Sequence, residues 1–135
     1  MIHLDTSFVI DLMREQARQR PGRATAFLEA HAGDQLGASV FAICELEAGA
    51  ARASRPDRER ARLRTVVQTL SIAYPDERFA PIYGDLLRRV HATGHSVSVM
   101  DLLIATSTLA DDAELVTAKQ KHFAQIPDLR LLPYS

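Results

Sequence analysis

A chain of 135 residues with 16 Lys and Arg against 17 Asp and Glu is long enough to bury on the order of two-thirds of its unfolded surface without disulfide or metal staples. It is also too evenly charged to carry the bulk positive field of a strongly basic nucleic-acid binder. Its one cysteine, Cys44, excludes an intrachain disulfide and, lying in an apolar run, is expected to act as a small hydrophobe in a reducing cytoplasm.

The opening M-I-H-L-D lacks a basic n-region and meets Asp5 at once, so no signal peptide is expected. I2-H-L4 reads as a first strand, and a helix is expected from Ser7 to Glu15 and another from Arg23 to Ala32. Q35-L-G-A38 reads as the second strand, followed by helices from Val40 to Arg52 and from Asp57 to Leu70. S71-I-A-Y74 reads as the third, followed by helices from Asp76 to Thr93 and Met100 to Ala110. E114-L-V-T117 is the fourth, with a short helix after Lys119, and L129-R-L-L132 is the fifth. Gly22, Gly33, Gly94, Pro56 and Pro75 punctuate the elements. No apolar run approaches the roughly 20 residues of a membrane span. Strands alternating with helices predict an α/β fold with a central, mostly parallel sheet covered on both faces, and right-handed crossovers. Without repeats or linkers, residues 1–135 are expected to form a single domain. In such folds sites form at the carboxyl ends of strands.

The basic residues are unevenly spread. Six arginines crowd into R52-A-S-R-P-D-R-E-R-A-R-L-R64, against Asp57 and Glu59. This stretch is either a patch for a polyanion or a solvated helix face or partner surface.

Three acidic residues lie in apolar company. Asp5 directly follows the first strand, where it serves either as a helix N-cap, a role open also to Thr6 and Ser7, or as a site residue. Glu45 falls on the helical face of Phe41, Cys44 and Ala48, whereas Glu47 points away. Glu45 either reaches the edge of that face, pairs with an arginine, or faces a site. Asp101 is the single charge in S96-V-S-V-M-D-L-L-I-A-T-S-T-L-A110; it is either a helix N-cap or a site residue, and an ionised carboxylate in such company is costly unless a cation meets it. If the three converge on one strand-end cleft, they cannot all stay ionised without a cation, and hard oxygen ligands select Mg²⁺ or Mn²⁺.

D5-T-S at the end of the first strand, S39-V-F-A-I-C-E-L-E-A-G49 in the middle and D101-L-L-I-A105 late in the chain together resemble the PIN-domain ribonucleases. The match is best to the VapC-type toxins of bacterial toxin–antitoxin pairs. It runs from Met1 to about Pro133, with L115-V-T-A-K-Q-K-H-F123 in the place of the family's late strand-loop motif. The resemblance implies a three-layer α/β/α PIN-like domain with Asp5, Glu45 and Asp101 as catalytic metal ligands and Thr6 and Thr117 as polar residues nearby. It also implies Mg²⁺ or Mn²⁺ as cofactor, RNA as substrate, a homodimer, and a silencing antitoxin protein. At the position where the family commonly offers a fourth acid or amide this chain carries Lys119, and His122 stands where other members carry an aspartate. Those departures imply a weakened second metal site or a binding module with an incomplete one.

Other motifs lead elsewhere. H91-A-T-G-H95 has the spacing of a helical zinc pair but lacks the glutamate of H-E-x-x-H, and Gly94 signals a helix end. A Walker loop and a dinucleotide G-x-G-x-x-G are absent. A haloacid-dehalogenase-like phosphatase wants a second aspartate where Ser7 stands, and a receiver domain wants an acidic pair at the end of strand 1. The resemblance to the PIN-domain ribonucleases therefore stands, and it implies a metal-dependent endoribonuclease, expected in the cytoplasm.

Overall fold

The computed structural model describes residues 1–135 around one four-stranded sheet. The strands are β1 (Ile2–Leu4), β2 (Leu36–Ser39), β3 (Ser71–Ala73) and β4 (Glu114–Val116). Their spatial order is β3-β2-β1-β4 and every pairing is parallel. The helices are α1 (Thr6–Arg18), α2 (Arg23–Ala30), α3 (Val40–Arg52), α4 (Pro56–Val67), α5 (Phe79–Ala92), α6 (Val99–Ala110) and the single turn α7 (Gln120–Phe123). No helix is long and apolar enough to cross a membrane.

The inner strands β1 and β2 are paired on both edges, the sheet is covered on both faces, and β1 is buried at all three residues. Adjacent residues of β4 show the two faces directly. Val116 joins Ile2, Leu4, Phe8, Val9, Leu12, Phe27, Leu63 and Val66 in one apolar cluster, roofed by α1, α2 and α4. Leu115 joins Leu86, Val90, Leu102, Ile104, Ala105 and Phe123 in the other, under α5 and α6. Side chains alternate across a strand, so one sheet carries two cores and the architecture is three-layered. His3, fully buried in β1, ends in polar partners: its ring nitrogens lie 3.1 Å from Thr108 Oγ1 and 2.9 Å from Asp111 Oδ2. Burial holds this imidazole below its ordinary pKa despite the neighbouring carboxylate of Asp111.

β2 approaches its neighbours closely at Gly37, where a Cβ would come within 2.9 Å of the Ser71 carbonyl oxygen, so a side chain there would force the backbones apart. Gly94 closes α5 with φ +74°, and the H91-A-T-G-H95 stretch accordingly leaves the helix before its second histidine.

Besides shifts of up to three residues at the ends of α1, α2 and α4, the structure departs from the sequence expectations at three places. L129-R-L-L132 forms no regular strand and contributes a single parallel bridge, Leu115 to Leu131. Helix α5 begins at Phe79 rather than Asp76, because the Asp76 carboxylate accepts from the Arg78 amide at 2.9 Å and the chain first makes a turn. Cys44 is exposed rather than packed. On α3 the buried positions are Ala42, Leu46 and Ala50, so the apolar run around Cys44 wraps past the covered face.

The N-cap of helix α2 is Gly22, which offers no side-chain cap. Glu15 of α1 takes that role, accepting from the amides of Gly22 (2.7 Å), Ala24 (2.9 Å) and Thr25 (2.9 Å) and from the Thr25 hydroxyl (2.7 Å). Burial alone would raise its pKa, but the hydrogen bonds from Thr25, Ala24 and Gly22 outweigh it and hold the carboxyl below its ordinary value. The contribution is therefore present above the unfolded-state pKa and lost as pH falls through the lower folded-state value. Glu15→Gln should cost about 1 kcal/mol at neutral pH, discounted for partial solvent exposure. Urea melts at pH 7 and pH 3 should show the gap between variant and parent closing in acid.

Candidate functional site

The chain leaves β1 and crosses to β2 on one side, while β4 pairs on the other. The β1–β4 boundary is thus the switch point of the sheet, where a crevice opens beyond the carboxyl ends. Asp5 is the first residue after β1 and Thr117 the first after β4.

Asp5 is fully buried and does cap α1. Its Oδ2 accepts from the Ser7 hydroxyl at 2.7 Å, the Thr117 hydroxyl at 2.7 Å and, more weakly, the Ser7 amide at 3.3 Å. Its Oδ1 is buried with no partner. A cap explains one oxygen and leaves the other orphaned, which is costly for a carboxylate unless a cation meets it. Ser7 is also linked to the far side of the crevice, since its hydroxyl accepts from the Ala118 amide at 3.0 Å.

Glu45 reaches the crevice from α3, which Ser39 caps by accepting from the Phe41 amide at 3.1 Å. The Thr6 hydroxyl donates to Glu45 Oε1 at 2.6 Å, so Thr6 and Ser7, the first two residues of α1, orient Glu45 and Asp5 respectively. Glu47 is exposed. Asp101 sits in the first turn of α6, whose N-cap Ser98 accepts from its amide at 3.1 Å. Asp101 is 7% exposed, and a helix N-terminus favours its negative charge.

What meets Asp101 here is Lys119, whose Nζ lies 3.0 and 3.3 Å from its two carboxylate oxygens. Burial would lower the pKa of this lysine, but the hydrogen bond and charge of Asp101, followed by the charges of Asp5 and Glu45, outweigh burial and raise it. One ammonium thus feels all three acids. No three side chains of the Asp, Glu, His or Cys kind are gathered closely enough to enclose a metal ion.

The mouth of the crevice is polar. A pocket of about 150 Å³ is lined by Ser96, Val97, Ser98, Asp101 and His122. Beside it an open groove of about 440 Å³ runs along Ala118, Lys119, Gln120, Lys121 and His122. The two lysines of the chain both lie there.

The structure therefore joins Thr117 to Asp5, Thr6 to Glu45 and Lys119 to Asp101, without gathering the three acids into one metal-enclosing cluster. Sequence reasoning did not assign Ser7 and Ser98 their places, although a serine two residues after an aspartate and one three residues before it are both recurrent capping patterns.

The PIN domain family matches residues 2–129. A curated relative named ribonuclease VapC19, from Mycobacterium tuberculosis, is 32% identical over 94% of this chain and 95% of its own length. Ribonuclease VapC2 from Rickettsia felis is 29% identical over 69% of each. Among solved structures, VapBC2 from Rickettsia felis bound to a DNA fragment from their promoter superposes with a TM-score of 0.90 at 26% identity, covering 100% of both chains. DNA-bound VapBC from Salmonella typhimurium superposes at 0.86 with 21% identity, over 97% of this chain and 96% of that one, a likeness of fold.

Proposed function

Because the chain belongs to the PIN-domain family, we propose that it is an endoribonuclease, the toxin of a type II toxin–antitoxin pair, and that Asp5, Glu45 and Asp101 hold a divalent cation, Mg²⁺ or Mn²⁺, for hydrolysis of RNA phosphodiesters. The observation that carries the assignment of the site is the orphaned Oδ1 of buried Asp5 at the switch point of the sheet. A structural cap has no use for it, and a hard cation does.

The donor set fits such an ion: carboxylate oxygens and space for water, with no soft ligand. When bound, the cation acidifies a water and offsets charge on the phosphoryl oxygens. The chain's own residues hold the geometry. Ser7 and Thr117 fix Asp5 through Oδ2, leaving Oδ1 to serve as the ligand atom. Thr6 orients Glu45, and the capped start of α6 presents Asp101. The RNA backbone is positioned by Lys121 and His122 in the adjoining groove and by the α4 arginines. Of those arginines, Arg60 and Arg62 are already paired with Asp57 and Glu59 of their own helix. The simplest outcome of in-line attack is departure of a 3′-hydroxyl and a product carrying a 5′-phosphate.

The partner in this reading is an antitoxin protein, as in the VapBC structures the chain resembles, together with a second copy of the chain. A groove of about 220 Å³ between α1 and α4, lined by Ile10, Met13, Arg14, Ala17, Glu59 and Arg62, offers such a partner apolar anchors and both signs of charge.

A second reading has its own observation. Lys119 pairs with Asp101 and no enclosed acidic cluster forms, which suits a PIN-like module that binds an antitoxin or RNA without cutting. Incubating a structured RNA with the protein and Mg²⁺, with the protein and EDTA, and with Asp5→Asn plus Mg²⁺ separates the two. The nuclease cuts in the first reaction alone, whereas the binding module leaves all three RNAs intact.

A further inference from the structure

Building on the nuclease reading, we propose that Lys119 is a movable counter-ion: its ammonium holds Asp101 in the free protein, yields that place to a divalent cation, and then pairs with the phosphodiester.

The root of this residue is pinned by the backbone, whereas its tip is partly exposed and held by Asp101 alone. The Lys119 amide donates to the Thr117 hydroxyl at 3.0 Å, and that hydroxyl donates onward to Asp5 at 2.7 Å, so the backbone of Lys119 is tied to the most deeply buried of the acids. Its side chain is 40% exposed and spans both oxygens of Asp101. Those are the oxygens a cation needs, and an ammonium about 3 Å away occupies them with the same sign of charge. In the same position Nζ lies over the ring of Phe123, 5.7 Å from its centroid. The open groove lined by Lys119, Lys121 and His122 gives the four-carbon stem room to swing, and an anion bound there beside Lys121 would draw the ammonium to it.

Charge counting gives the order of events. Asp5, Glu45 and Asp101 contribute −3 and Lys119 contributes +1, leaving −2, which one divalent cation neutralises. A second would leave +2 in a partly dry cleft. No neighbouring acid makes up the difference. Asp11 is held by Arg23 and the Tyr134 hydroxyl, each at 2.9 Å, and Asp111 faces His3. An RNA phosphate brings the missing negative charge and the destination for the displaced ammonium at once. Free protein thus takes one cation weakly, and substrate completes the loading.

The test is calorimetric titration of the RNA-free, full-length protein with Mn²⁺, comparing the parent with Lys119→Met and Lys119→Asp, alongside single-turnover RNA cleavage at saturating Mn²⁺ and thermal melts to establish folding. The parent should show one site. Lys119→Met should bind Mn²⁺ at least about tenfold more tightly yet cleave more slowly, and Lys119→Asp should gain a second site. Equal Mn²⁺ affinity in parent and Lys119→Met, or two tight sites in the parent, overturns the proposal. Tighter binding with an unchanged cleavage rate overturns its second half, the pairing with phosphate. Folded proteins that take up no Mn²⁺ in any of the three forms defeat the metal-dependent reading itself, a result distinct from equal binding.

Discussion

Asp101→Asn is expected to lower RNA cleavage by at least about a hundredfold while leaving the fold in place. The substitution changes one charge and almost no volume. The amide nitrogen of residue 101 still donates to the Ser98 hydroxyl, so the start of α6 is retained. The change forfeits a favourable helix-dipole interaction of about 0.5 kcal/mol and releases Lys119, whose partly exposed ammonium turns to water at little cost. Repulsion from Asp5 and Glu45 falls by a comparable amount. The melting temperature should therefore move little, while the acid set loses one of its three charges. Glu47→Gln, on the exposed side of α3, is the matched control and should be nearly silent. Wild-type cleavage by Asp101→Asn at limiting Mg²⁺ would remove Asp101 from the site.

The largest loss of stability is expected at Phe8. Its ring is fully buried, 5.4 Å from Phe27 and 5.0 Å from Tyr134 between centroids, and it stands three residues after Asp5 on the helix that Asp5 caps. Phe8→Ala removes the ring from a close-packed cluster that includes strand β1 and helices α1, α2 and α4. Transfer and cavity terms together cost about 3–5 kcal/mol, a fall in melting temperature on the order of 10–20 °C for a chain of this size. Differential scanning calorimetry checks the figure, and a loss under about 1 kcal/mol would show that Tyr134 and Phe27 close over the gap. The C-terminal residues should loosen with it, because Tyr134 is fixed by Phe8 beneath, by the Arg23 guanidinium 4.4 Å above its ring, and by Asp11 at its hydroxyl. Burial and the hydrogen bond to Asp11 push that phenol well above its ordinary pKa, so it remains a neutral donor.

Local patterns carried most of the fold. Helix α3 was bounded at both ends by its sequence, since Ser39 is a strong cap and the apolar pattern ends in R52-A-S-R-P. Four of the five expected strands formed, because short apolar runs between capped helices have few alternatives in an alternating chain. The fifth failed because Leu131 finds only Leu115 beside it, at the outer edge of β4. Cys44 misled for a different reason: helical periodicity assigns a phase but not how wide a face the neighbours cover, and on α3 that cover is narrow. The identities of the acids were legible as charges in apolar company. Their partners were not, since Thr117 meets Asp5 across 112 positions and Thr6 meets Glu45 across 39. No local rule links such pairs. Lys119 stood out as the odd residue in its motif, yet only the folded chain shows its ammonium on Asp101.

The place of β1 in the sheet also sets the order in which the surroundings of Asp5 can form. The strand made first lies between β2 and β4, and β4 is the last of the four strands to be made. Asp5 therefore waits for the Thr117 hydroxyl that anchors it and for the strand that walls its crevice. Pairings so distant in sequence form late and slowly. A chain in which only β1, β2 and β3 have paired carries Asp5 without the contact that fixes it.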